Sequence, residues 1–143
     1  MNYEEYVDIL ENLKFSNNQL DKEKILKSSI NPSLIPMLEP KIIELIKTKY
    51  QNAVNKMVDN LENIFSDQYY LDQYLVNFKK EVMFIYDLTG IKELKEDKKI
   101  MMQKMIKDET RNVYNILEQK ANTLDLTGSL SMTIKNNEIK WGE

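Results

Sequence analysis

The chain contains no cysteine and no histidine. Disulfides are therefore excluded, as are zinc sites built from Cys and His and any nucleophile activated by an imidazole. Helical di-metal carboxylate centres of the Glu-x-x-His type are excluded for the same reason. Glycine and proline number three each, too few for an all-β chain with many turns. Gly90, Gly128 and Gly142 stand apart, so no glycine-rich phosphate loop exists. No apolar run approaches the ~20 residues that span a bilayer, and no apolar stretch follows a basic start, so neither a membrane anchor nor a signal peptide is expected. The default location is cytoplasmic.

No segment is strongly basic either. Twenty Lys and Arg stand against 23 Asp and Glu, for a net charge of -3. Residues 1–40 carry four basic and seven acidic residues, and residues 91–125 eight and seven. That balance gives no general attraction to phosphate and is too mild for a DNA mimic.

What is present is helical pattern. In 143 residues, 42% hydrophobic and 30% charged, the longest amphipathic stretch runs from Pro40 to Phe65. Ile43, Ile46, Tyr50, Ala53, Met57, Leu61 and Ile64 recur at steps of three or four, the spacing of one helix face. About 26 residues of helix reach roughly 39 Å, and so broad a face needs more than one partner. Before it, Tyr3, Tyr6, Val7, Leu10 and Leu13 predict a short helix. Ser16-Asn17-Asn18 offers an N-cap for a second helix carrying Leu20, Ile25 and Leu26, which Asn31-Pro32 ends. Pro40 suits the first turn of the long helix. After Phe65, Asp67 is a natural N-cap, and Leu71, Leu75, Phe78, Val82 and Ile85 form the next stripe, ended at Gly90. So short a break predicts an antiparallel helical hairpin. A third long helix carries Met102, Met105, Ile106, Val113, Ile116, Leu117, Ala121 and Leu124, and is read as continuous from near Ile91 through the charged run at 92–99.

The last residues change character. Ser129 to Trp141 alternates strictly on either side of Asn136-Asn137, which predicts a two-residue turn and a β-hairpin. Ile134 then faces Ile139 and Met132 faces Trp141, giving a ribbon with one apolar side. The expected fold is mainly α: two short N-terminal helices (1–38), a three-helix bundle (39–125) and a C-terminal β-hairpin (126–143).

Chemistry is harder to find. Asp59, Glu62, Asp67 and Asp72 could build an all-carboxylate magnesium site, but they read better as the solvated end of a helical hairpin. Nothing places two titratable groups together on an otherwise apolar face, so no enzyme, no metal and no cofactor is expected. Lys22, Lys24 and Lys27 are the candidate DNA contacts; Lys104, Lys107 and Arg111 form a second basic set. Acids intersperse both, which favours ordinary surface pairing. Tyr69, Tyr70 and Tyr74 could stack bases, or serve as core and rim aromatics.

A helical N-terminal module, a central helical hairpin and a terminal β segment together resemble the small terminase subunits of tailed bacteriophages. The segment Leu124-Asp125-Leu126-Thr127-Gly128-Ser129-Leu130-Ser131-Met132-Thr133-Ile134 is similar to that family's ending. The resemblance implies a homo-oligomeric DNA-packaging adaptor: helical hairpins forming a ring, the N-terminal module binding DNA, and the terminal strand engaging a packaging ATPase. Leu130, Met132, Ile134, Ile139 and Trp141 are then the expected oligomer and partner contacts. The alternative from the residues alone is a small phage or mobile-element protein that occupies a host protein's surface through this ribbon or the tyrosine-rich helix, without touching DNA.

Overall fold

The computed structural model describes residues 1–14, 19–124 and 128–141. Seven α-helices follow one another, with no strand among the described residues. Helix α1 (Tyr3–Asn12) begins where Asn2 accepts the Glu5 N–H at 2.8 Å, satisfying one of the open donors of the first turn. Its Tyr6 and Leu10, with Leu13 just beyond, are fully buried at i, i+4 and i+7. Helix α2 (Gln19–Lys27) packs against α1; its expected cap at Ser16-Asn17-Asn18 lies outside the described residues. Asn31 caps a 3-10 turn over Pro32–Leu34 rather than ending α2.

Helix α3 (Ile35–Val58) begins five residues before Pro40. Pro36 therefore takes the first-turn position, where a missing N–H costs nothing, and Pro40 lies inside the helix, exposed like Pro36. Nor does α3 run on to Phe65. The Asn60 side chain donates to the Lys56 carbonyl at 2.9 Å, a local bond that competes with the helical ladder. The chain turns there and resumes as the short α4 (Leu61–Ile64). Helix α5 (Gln68–Leu88) starts on Asp67, whose carboxylate accepts the Tyr69 N–H at 2.7 Å, as expected from the sequence.

Helix α6 (Glu96–Leu124) does not begin near Ile91. Residues 91–95 form a connector in which Ile91, Glu93 and Leu94 are buried while Lys92 and Lys95 point out. Mixed charge hid the two apolar anchors that pull this stretch out of helical register.

Helices α3, α5 and α6 form the bundle, with α1 laid on α3. Tyr50 of α3 reaches across to α6, its hydroxyl donating to the Ile106 carbonyl at 3.2 Å and lying 2.7 Å from Thr110 Oγ1. Phe78 of α5 meets Tyr114 of α6 edge to face, with centroids 5.9 Å apart. One core runs from Tyr6 to Ile139 and draws on all three segments that the sequence divided.

The terminal β-hairpin is the main correction. Ser129–Asn136 is helix α7, opened by Gly128 at φ +80, a conformation that glycine adopts without strain. Leu130, Met132 and Ile134 satisfy a two-residue period, but Leu130 and Ile134 are also i, i+4. In so short a segment, periodicity cannot separate strand from helix. Burial decides it. As a helix the segment completes its own backbone bonds, while a two-stranded ribbon leaves both edges open and is marginal in water.

Candidate functional site

The five residues expected to meet a partner are divided by α7. Ile134 is wholly buried and Ile139 nearly so, both in this chain's own core, and Leu130 is packed against that core. Trp141 lies tilted on Tyr86 of α5 at 5.0 Å between centroids, and Lys107 sits over both rings at 5.7 and 5.8 Å. Only Met132, 63% exposed, points outward.

The candidate DNA lysines divide as well. Lys22 is buried, paired with Asp87 of α5 at 2.9 Å and stacked over the Phe84 ring. It therefore locks α2 onto α5 rather than projecting as a phosphate contact. Lys24 and Lys27 are exposed. The second basic set is engaged within α6 and with the C-terminus: Lys104 and Arg111 flank Asp108 at 2.9 and 3.9 Å. The hydrogen bond from Lys104 holds the Asp108 carboxyl below its usual range.

A groove of about 790 Å³ opens between α1, α3 and α5, lined among others by Lys49, Asn52, Asn55, Lys56, Asp59 and Glu81. Lys49 donates to the carbonyls of Glu11 and Leu13 at 3.1 and 2.7 Å, closing the end of α1. Burial and the neighbouring Lys14 lower its pKa. Lys56 bonds both oxygens of Glu81 at 3.0 and 3.2 Å across the groove. Its charges are matched, three lysines against three acids, and Lys49, Lys56 and Glu81 already hold partners, which leaves little to select a charged ligand.

The exposed end of the helical hairpin is different. There α3 finishes, α4 turns, α5 begins, and the C-terminal end of α6 arrives with α7; Lys120 meets Glu62 at 3.8 Å, and Gln68 bonds Thr133 at 3.3 Å. Tyr69 and Tyr70 form an edge-to-face pair 5.8 Å apart, 65% and 50% exposed. Met132 and Leu124 add exposed apolar surface at the same end. Between Lys56 and Lys79 the chain carries Asp59, Glu62, Asp67 and Asp72 and no base, and all four acids are exposed. Among the described residues no three acids gather into a metal site. Asp67 is occupied as the α5 cap, and Tyr74, the third tyrosine of that stretch, packs against the core.

The signal for this surface was in the sequence. Tyr69 and Tyr70 precede the Leu71, Leu75, Phe78 stripe and lie off its spacing, and the 22 residues around them lack any positive charge.

No family model, curated protein or solved structure matches this chain. Among the described residues no helix is long and apolar enough to cross a membrane.

Proposed function

We propose that this protein is a non-enzymatic binding protein that docks the tyrosine-bearing, acid-rimmed end of its helical hairpin onto an arginine- and lysine-rich surface of another protein. The exposed Tyr69–Tyr70 pair carries the reading. Two tyrosines held outside the core lose little rotamer freedom on contact and bury large area, which is why tyrosine is enriched at binding hot spots. Their faces accept guanidinium and ammonium groups, and the surrounding acids steer a basic partner and resist an acidic one. A second copy of the chain would bring like charges together across a two-fold axis, so this end favours a different molecule over itself. Duplex DNA is disfavoured by the same field.

The packaging-adaptor reading drew on a terminal strand and on Lys22, Lys24 and Lys27, of which Lys24 and Lys27 are exposed. That segment is helical and Lys22 is paired with Asp87, so the host-surface alternative has the stronger support.

A fluorescent nona-arginine peptide serves as the probe. Binding should weaken with salt and fall about tenfold, the equivalent of ~1.4 kcal/mol, in Tyr69→Ala/Tyr70→Ala. Glu62→Gln/Asp72→Asn should weaken it more than Glu4→Gln/Glu5→Gln, which removes the same charge from exposed positions on α1. If both charge pairs weaken binding equally and the tyrosine variant binds like wild type, the peptide senses only net charge and the proposal fails.

A further inference from the structure

The connector between α5 and α6 is anchored at both ends. Gln103 donates to Thr89 Oγ1 at 3.0 Å just before it, and the Lys95 N–H donates to Glu39 of α3 at 2.7 Å. Lys92 donates to the Lys27 carbonyl at 3.3 Å, tying the connector to the end of α2. At its centre Glu93 is only 6% exposed, and neither carboxylate oxygen meets a hydrogen-bond partner on another residue among the described residues, its own backbone N–H being the one donor turned toward it. The Tyr6 hydroxyl of α1, also buried, has none either. Buried polar groups are normally bonded, and a carboxylate left charged without a partner is costly.

The charged and titratable groups bearing on Glu93 come from each neighbouring element. Tyr6 from α1 feels its charge. Lys92 beside it and Lys99 from α6 are the cations, neither of them hydrogen-bonded to it. Glu39 from α3, the other buried acid at the connector, accepts the Lys95 backbone N–H and does not bond Glu93.

We infer that Glu93 is a proton-set latch: with its carboxyl protonated the connector stays seated against α1 and α3, and ionising it loosens that seat. Removing the proton leaves a buried charge with no hydrogen-bond partner on another residue among the described residues. Adding it gives a neutral acid able to donate to an oxygen. Burial raises Glu93 above the ordinary carboxylate range, opposed first by its own backbone N–H and then by Lys92 and Lys99. The folded chain thus binds this proton more tightly than the unfolded chain. The seat is complete below the ordinary value of 4.5 and is lost as pH rises through the raised one.

Hydrogen exchange of the connector amides, corrected for intrinsic rates, tests this in the full chain. From about pH 5 to about pH 8, opening should increase about tenfold for each unit by which the proton is held more tightly. In Glu93→Gln, which keeps shape without charge, opening should stay at its low-pH level. The side-chain carboxyl 13C resonance of Glu93 in the wild-type protein should titrate above the ordinary range; this readout stands even if the variant folds poorly. A carboxyl that titrates at 4.5, or a Glu93→Gln protein whose opening follows wild type with pH, overturns the latch.

Discussion

Replacing Ile134 and Met132 separately by alanine distinguishes the helical C-terminus from a ribbon. In α7 the two differ completely: Ile134 has no exposed surface, whereas Met132 is largely open to solvent. Ile134→Ala removes three buried carbons, ~2.4 kcal/mol of transfer free energy at ~0.8 per methylene. The cavity left behind adds to this, within the roughly 2–5 kcal/mol seen for such truncations. For a chain of this size each kcal/mol moves Tm by about 2–4 °C, so a loss of ~3 kcal/mol should lower Tm by roughly 6–12 °C. Met132→Ala should stay within about 0.5 kcal/mol, the range of ordinary surface changes. Thermal melts followed by circular dichroism read both. In a ribbon the two side chains share one apolar face and cost similar amounts. Equal losses, or a larger loss at Met132, would refute the packing described for α7.

Tyr50→Phe should cost about 1–3 kcal/mol by urea unfolding, because Thr110 Oγ1 is left buried without its tyrosine partner. Tyr50→Phe/Thr110→Val should lose less than the sum of the two single changes. Burial raises the Tyr50 pKa to about 12. Ultraviolet titration should find that phenol neutral at pH 10, with its share of stability intact below pH 10 and lost as pH rises toward 12. Gly128→Ala meets no steric obstacle, since nothing lies near the added Cβ, yet φ is +80. It should destabilise by about 1–2 kcal/mol through backbone strain alone; a neutral change would show that the turn into α7 relaxes.

Much of the helical frame was legible. Asp67 announces α5, and Leu71, Leu75, Phe78, Val82 and Ile85 are all buried as their spacing requires. In α3, Ile46, Tyr50, Ala53 and Met57 are likewise buried as their spacing requires, and only at its start does Ile42 take the centre while Ile43 lies at the edge. The Asn60 side-chain bond that splits the long helix has no periodic signature. The acids around Tyr69 and Tyr70 were visible as chemistry; which ends of which helices lie beside them was not.

Sequence alone determined what this chain cannot use, since histidine and cysteine are missing, and where its long helices lie, since amphipathic stripes declare themselves over many turns. Tertiary structure decided the identity of the last segment, the engagement of Lys22 and the burial of Glu93. Each depends on what a residue meets across the bundle. For Leu130 and Ile134 both local periods were satisfied, and the seam beside α5 and α6 selected the helix by burying one side and leaving Met132 to water.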